Sequence, residues 1–120
     1  MNSATAPLIL IVDDDPTTLL ILEGVLRGVG FLTAKSADAH GALTAIRAFH
    51  PDLVLLDITL PDGNGYDVCR TLKADPATAS IPIIFVSAND DIAAKVTGFE
   101  VGGVDYVTKP LAGEEVIARV

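Results

Sequence analysis

Aspartates follow two apolar runs of the sequence at the points where the runs end. Three consecutive aspartates, residues 13–15, come directly after the run at residues 8–12, and Asp57 comes directly after the run at 53–56. Carboxylates drawn together repel one another, so they require a cation unless they are protonated. Oxygen ligands without nearby His or Cys favour Mg²⁺, Mn²⁺ or Ca²⁺ over zinc. If these aspartates meet, they form a site for a hard divalent cation.

Two further chemical groups occupy similar positions. Ser87 follows the apolar run at 83–86, and Lys109 lies just beyond a weaker run at 105–107. An aspartate such as Asp57 can act as a nucleophile and carry a phosphoryl group as an aspartyl-phosphate. Lys109 and a metal would neutralise the charge that develops during transfer, and Ser87 could donate a hydrogen bond to a phosphoryl oxygen. The combination indicates phosphoryl-group chemistry.

The apolar runs themselves predict strands. The runs at 8–12, 53–56 and 83–86 are apolar at every position, which is typical of strands buried on both faces of a parallel sheet. The runs at 31–34 and 105–107 are more mixed, so we expect these two strands nearer the sheet edges.

Segments with helical spacing separate the strands. The first helix begins near Pro16, the third ends before Asp75, and the last starts at Glu114 and reaches Val120 after about two turns. The residues at helical spacing are Leu19, Leu22, Leu26 and Val29; Ala39, Leu43 and Ile46; Tyr66, Cys69 and Leu72 or Lys73; and Ile92, Val96 and Phe99. Five strands alternating with five helices predict an α/β fold with a doubly wound parallel sheet.

The topology brings the chemical groups together. In open α/β sheets, ligands bind beyond the carboxyl ends of the strands. The aspartates at 13–15, Asp57, Ser87 and Lys109 all follow strands, so we expect them at one edge of the sheet. Asp15 is the exception, because its position suits a cap of the first helix.

Composition limits the classes of protein. The chain has 120 residues, half of them apolar, which predicts one domain over 1–120 with a real core. The net charge of −8 argues against nucleic-acid or anionic-membrane binding by this segment. The one cysteine, Cys69, fits a reducing compartment, and the chain lacks an apolar run of bilayer length, so a cytoplasmic location is expected.

Five motifs in order resemble the receiver domain of two-component response regulators. They are Val12-Asp13-Asp14-Asp15-Pro16, Leu56-Asp57-Ile58-Thr59-Leu60-Pro61, a Gly-rich turn through Gly65, Val86-Ser87-Ala88, and Asp105-Tyr106-Val107-Thr108-Lys109-Pro110. The resemblance implies a flavodoxin-like sheet with strand order 2-1-3-4-5. Because the final helix looks truncated, we expect the chain to be the N-terminal part of a longer protein.

The resemblance also implies residue roles. Asp57 would be the phosphoacceptor. Asp14 would bind Mg²⁺ directly, Asp13 would act through a water, and the backbone carbonyl of Thr59 would complete the protein ligands. Tyr106 would be the aromatic residue whose rotamer follows the switch.

The same resemblance places Ser87 where a hydroxyl moves toward the phosphoryl group and Lys109 where a lysine pairs with it. The Lys109–Pro110 bond would be cis. Gly63, Asn64 and Gly103 depart from the common residues of the family, and positions such as Asn89 tune the lifetime of the phosphate.

The implied partners are those of a phosphorelay. A sensor histidine kinase or a phosphotransfer protein would donate the phosphoryl group, and the output domain or protein is unknown. The output surface would be helix 4, strand 5 and helix 5, through which a homodimer could also form.

Other functions stay open at this level. A phosphatase of the haloacid-dehalogenase type would use an Asp-x-Asp pattern, which Asp13 and Asp15 mimic. A flavodoxin-like FMN binder would need a hydroxyl- and Gly-rich loop after the first strand, where this chain has aspartates. An interaction module that ignores phosphorylation is a third alternative.

Overall fold

The computed structural model describes residues 6–88, 92–109 and 113–120. The expectations about the Lys109–Pro110 bond and about Asn89 lie outside these residues. Among the helices in these ranges, none combines the length and the apolar character that crossing a bilayer requires.

A parallel sheet forms the centre of the described structure. Its strands, in chain order, are β1 (Leu8–Val12), β2 (Leu32–Ser36), β3 (Leu53–Leu56), β6 (Ile83–Ser87) and β7 (Asp105–Thr108), and β4 (Thr59–Leu60) pairs with β5 (Gly63–Asn64) in a separate antiparallel hairpin. The five-stranded sheet has the order β2-β1-β3-β6-β7. Counted along the sheet's own strands this is 2-1-3-4-5, so the predicted fold class is confirmed.

Helices cover both faces of this sheet. They are α1 (Pro16–Gly28), α2 (Ala39–Phe49), α3 (Gly65–Ala74), α4 (Ile92–Glu100) and α5 (Gly113–Arg119). The first three begin at side-chain caps, where a carboxylate or amide oxygen accepts a hydrogen bond from an otherwise unpaired amide. Asp15 caps α1, Asp38 caps α2 and Asn64 caps α3. Asn64 differs from the common residue of the family at its position, but it still caps the start of α3.

The core has two layers, one on each face of the sheet. Leu10 and Val12 of β1 pack with the layer under α2 and α3, whereas Ile9 and Ile11 pack with the layer under α1 and α5. Successive side chains of a strand point to opposite faces. A strand covered by helices on both faces must therefore be apolar at every position, which is the pattern in the sequence.

The predicted start of β2 is wrong. Phe31 was expected in the strand, but its amide donates to the carbonyl of Leu26, 3.1 Å away, in the turn that ends α1. Gly30 adopts a φ of 99°, a left-handed conformation that glycine tolerates. The ladder begins one residue later, where Leu32 pairs with Leu8, and it continues to Ser36.

Two helix faces also differ from the expected stripes. Val29 is 50% exposed, and on α4 the side chains of Val96 and Phe99 are 47% and 52% exposed. The side of α4 that meets the sheet contains Gly98, where an added Cβ would lie 3.0 Å from the Phe85 ring. The apolar spacing predicted the helix correctly. It did not predict the face that packs on the sheet, because that face is formed at Gly98, which has no apolar side chain.

Candidate functional site

Three carboxylates converge at the carboxyl ends of neighbouring strands. Oxygens of Asp13, Asp14 and Asp57 all lie within 4.8 Å of one another. β1 and β3 are adjacent, and the Asp57 amide donates to the Val12 carbonyl at 2.9 Å, which places the two strand ends side by side. Asp13 and Asp57 are buried, at 1% and 6% exposure, whereas Asp14 is exposed at the rim. The cluster is thus closed below and open to solvent above.

Lys109 brings a positive charge to these carboxylates from β7. Its Nζ lies 2.7 Å from Asp13 Oδ2 and 3.4 Å from Asp57 Oδ2. Its backbone amide donates to the carbonyl of Ser87 at 2.8 Å, which continues the pairing of β6 with β7. Lys109 contacts two of the three carboxylates, so among the described residues the cluster carries excess negative charge that attracts a cation.

The electrostatic setting changes two proton affinities. Burial raises the pKa of Asp57, and the charge of Asp13 adds to this effect, against the opposing pull of Lys109 and the Thr59 amide. Burial alone would lower the pKa of Lys109, but its hydrogen bond to Asp13 and the nearby charge of Asp57 raise it. Lys109 therefore stays protonated. Ionisation of Asp57, in contrast, lowers the stability of the folded protein unless further positive charge binds nearby.

This cost predicts a pH-dependent effect of Asp57→Asn on stability. Because the folded protein binds the Asp57 proton more tightly than the unfolded chain, the ionised carboxylate opposes folding. The cost is absent below about pH 4, where unfolded aspartates are protonated, and complete above the raised pKa. In EDTA, the variant should unfold at a higher temperature than wild type at neutral pH, and the difference should shrink in acid.

Thermal unfolding across this pH range measures the effect. Asp67→Asn, which removes an exposed carboxylate from α3, controls for loss of net charge alone. A difference between Asp57→Asn and wild type that does not change with pH would contradict the prediction.

The loop after Asp57 is tightly built. The Thr59 amide donates to Asp57 Oδ1 at 3.3 Å, and the Gly65 amide donates to the Ile58 carbonyl at 2.7 Å. A Cβ on Gly65 would overlap the backbone carbonyl oxygen of Asp57, so the chain returns beside the site only with glycine there. The predicted Gly-rich turn is thus a hairpin, β4–β5, followed at once by α3.

A second aspartate anchors the hairpin to α2. Asp62 accepts hydrogen bonds from the amides of Ala39 and His40 at 2.7 and 3.0 Å. These bonds lower the pKa of Asp62. Sequence reasoning missed this contact, although the Pro61-Asp62-Gly63 segment marks a turn with an acidic side chain.

The other residues singled out from the sequence have different places in the fold. Ser87 is buried at the end of β6, between β3 and β7. Tyr106 is buried in the core and packs against Phe85. Asp15 caps α1 and accepts from the Thr17 amide, so it serves the helix, while Cys69 is buried in the core.

This arrangement can be compared with known proteins. The family model for the response regulator receiver domain matches residues 9–120. The chain belongs to this family. It is therefore a receiver, a signalling module of two-component response regulators.

Relatives of this receiver carry the same family name. It is 51% identical over 112 residues to the DNA-binding response regulator MtrA of Mycolicibacterium smegmatis, a match that covers 93% of this chain and 48% of the relative. MtrA of Mycobacterium leprae is 49% identical with the same coverage. The receiver thus spans about half the length of the curated relatives it matches.

Solved structures agree on the fold. A response regulator from Chloroflexus aurantiacus superposes with a TM-score of 0.92 at 39% identity, covering 96% of this chain and 94% of that chain. The BeF3-activated receiver domain of DrrB gives a TM-score of 0.84 at 31% identity, again covering 96% and 94%. Both are receivers or response regulators, as the family assignment requires.

Proposed function

We propose that this receiver is a switch operated by phosphorylation of Asp57. The observation that carries the proposal is the position of the Asp57 carboxylate. It is buried, it contacts the ammonium of Lys109 at 3.4 Å, and it lies beside the carboxylates of Asp13 and Asp14. A nucleophile in this setting has both a positive partner and a site for a metal within reach.

Magnesium fits the donors of the cluster. Asp13, Asp14 and Asp57 offer carboxylate oxygens, and the backbone carbonyl of Thr59 is the proposed further ligand. All of these are the hard oxygen donors that Mg²⁺ prefers when phosphate oxygens complete its shell. When bound, Mg²⁺ would supply positive charge that stabilises the oxygens of the transferring phosphoryl group.

The chain's own residues account for the transfer. A carboxylate oxygen of Asp57 attacks the phosphorus of a phosphohistidine donor and forms a P–O bond. The bond between the phosphorus and the imidazole nitrogen breaks, and the imidazole leaves with the electron pair. Lys109 neutralises the incoming negative charge, and the Ser87 hydroxyl donates a hydrogen bond to a phosphoryl oxygen. Since the receiver supplies these groups, it also catalyses its own phosphorylation from small donors and part of its dephosphorylation.

A phosphatase of the haloacid-dehalogenase type is less well supported. That chemistry would use Asp13 and Asp15 together. Asp15 instead accepts hydrogen bonds from the Thr17 amide and the Thr18 hydroxyl, both at 3.0 Å. Its carboxylate is occupied by the start of α1.

The proposed partners follow from the family. A sensor histidine kinase or phosphotransfer protein donates the phosphoryl group, and an output domain or protein responds. The MtrA relatives are named as DNA-binding, but the charge of −8 argues against DNA contact by these 120 residues. Val96 and Phe99 on α4 and Ile117 on α5 are exposed apolar side chains. They favour the face formed by α4, β7 and α5 as the surface that binds the output partner or a second copy of the chain.

Incubation with acetyl phosphate, followed by intact-mass measurement, tests the proposal. Wild type should gain one phosphoryl group with Mg²⁺ and not with EDTA. Asp14→Asn, which removes a carboxylate from the rim of the cluster, should need more Mg²⁺ for the same rate because one ligand is lost. A gain that is equally fast in EDTA would contradict the metal site.

A further inference from the structure

The tip of the β4–β5 hairpin is bonded to the start of α2. The hairpin turns at Pro61 and Asp62, between the end of β4 and the beginning of β5. Oδ1 of Asp62 accepts the Ala39 amide at 2.7 Å, and Oδ2 accepts the His40 amide at 3.0 Å. Each carboxylate oxygen therefore binds a different amide, which fixes the direction as well as the distance of the contact.

The amides that Asp62 binds have no acceptor within α2. The first amides of a helix lie beyond the reach of any carbonyl of a preceding turn, so they need partners from elsewhere. The amide of Gly41 donates to Asp38, the capping residue, at 2.6 Å. Asp62, 23 residues beyond Ala39, accepts the two amides before it. The start of α2 is thus capped by two carboxylates, one local and one from the hairpin.

The base of the same hairpin belongs to the proposed phosphorylation site. The Thr59 amide donates to Asp57 Oδ1 at 3.3 Å, and Thr59 pairs with Asn64 across the hairpin. The Thr59 carbonyl is the proposed backbone ligand of Mg²⁺. A two-stranded hairpin this short is marginally stable by itself. Contacts at its tip therefore help to determine how firmly its base is held.

We propose that Asp62 is a positioning residue that holds the β4–β5 hairpin, and with it Thr59, in place for the metal by binding the first two amides of α2. The consequence for Mg²⁺ rests on the proposed function, whereas the attachment of the hairpin to α2 does not. Leu60 is buried in the core, so the hairpin stays folded onto the protein without Asp62. What is lost is the fixed position of its tip.

Two substitutions break this attachment from opposite sides. Asp62→Ala removes the acceptor, whereas Ala39→Pro removes one donor and keeps the charge of Asp62. Proline is tolerated at the first position of a helix. Asp38, which would precede the proline, is already extended, with φ −148° and ψ 169°, as a residue before proline requires. If both changes act through one attachment, adding Ala39→Pro to Asp62→Ala should have little further effect.

Asp52→Ala is the matched control. Asp52 is also exposed, and its Oδ2 accepts the Leu8 amide at 2.7 Å, so it is a second surface carboxylate bonded to the backbone. It directly precedes β3, whereas Asp57 directly follows it, so the control lies at the opposite end of the sheet from the site. The substitution removes the same charge and the same kind of bond, away from the hairpin.

Hydrogen exchange in EDTA measures the attachment without any metal. The Gly65 amide donates to the Ile58 carbonyl at 2.7 Å and closes the base of the hairpin. Asp62→Ala should speed the exchange of this amide about fivefold, the usual effect of losing a helix cap, and Ala39→Pro about twofold. Asp52→Ala should leave it unchanged. Exchange at the wild-type rate in Asp62→Ala would overturn the inference.

Calorimetric titration with Mg²⁺ measures the consequence for the site. The Kd should rise about tenfold in Asp62→Ala, the lower end of the cost of losing a group that orients metal ligands. It should also rise in Ala39→Pro, where the charge is unchanged. A rise in Asp62→Ala alone, or full additivity in the double variant, would overturn the positioning role, because loss of charge would then account for the weaker binding.

Intact mass after acetyl phosphate treatment of the same samples separates the two proposals. If the Kd rises in both variants while wild type gains no phosphoryl group, the positioning role stands and the phosphorylation switch fails. If wild type is phosphorylated while the Kd of Asp62→Ala equals that of Asp52→Ala, the switch stands and the positioning role fails.

Discussion

Asp57→Asn is expected to abolish phosphorylation by acetyl phosphate in the presence of Mg²⁺. The asparagine side chain has the same size, but its amide is not a nucleophile toward phosphorus. Losing the nucleophile of such a site costs on the order of 10⁴-fold or more in rate. Intact mass over a time course should show no gain for the variant while wild type reaches a singly phosphorylated species.

Asp67→Asn is the matched control for this change. It removes a carboxylate that is exposed on α3 and forms a 2.7 Å ion pair with Arg70, away from the cluster. Its phosphorylation rate should equal that of wild type. Phosphorylation of Asp57→Asn at an undiminished rate would show that another residue accepts the phosphoryl group.

Lys109→Met is expected to slow phosphorylation by about 10²-fold, the usual cost of removing one group that stabilises developing charge. The same change should tighten Mg²⁺ binding. In the wild type, the Lys109 ammonium lies 2.7 Å from Asp13 and 3.4 Å from Asp57, so it neutralises these carboxylates and competes with the metal. Without metal the variant should lose stability, since two buried carboxylates are left without their positive partner. Mg²⁺ should restore part of that loss.

A time course of intact mass and a calorimetric Mg²⁺ titration measure the two effects. Lys73→Met is the matched control, because Lys73 is also partly buried and its Nζ donates to the carbonyls of Ala79 and Ile81. That variant should lose stability but keep the wild-type rate and Mg²⁺ affinity. Weaker Mg²⁺ binding in Lys109→Met would contradict the competition between the lysine and the metal.

The sheet could be predicted because its physical requirements are visible in the residue pattern. A strand such as β3 is covered on both faces, so each position from Leu53 to Leu56 must be apolar. β2 has exposed and half-buried positions and lies at one end of the sheet, as its mixed pattern indicated. The rule that sites form at carboxyl strand ends then places Asp57 and Lys109 at one edge.

Other features depend on contacts that no local pattern encodes. Phe31 is as apolar as a strand residue, and only the left-handed turn at Gly30 decides that the ladder begins after it. On α4 the large apolar Phe99 is exposed and the small Gly98 is buried, which is the opposite of the pattern expected for a helix. The close approach of the Phe85 ring requires glycine at position 98. The contact of Tyr66 with Phe85 joins residues of α3 and β6 that are distant in sequence, and it has no sequence signature.

Trapping the phosphorylated residue in wild-type protein is the most direct test of the central claim. Borohydride reduces an aspartyl-phosphate to homoserine, and peptide mass spectrometry then locates the reduced residue without any mutation. After treatment with acetyl phosphate and Mg²⁺, the phosphorylation switch predicts homoserine in place of Asp57. Homoserine at Asp13 or Asp14, with Asp57 unchanged, would contradict the assignment of the phosphoacceptor.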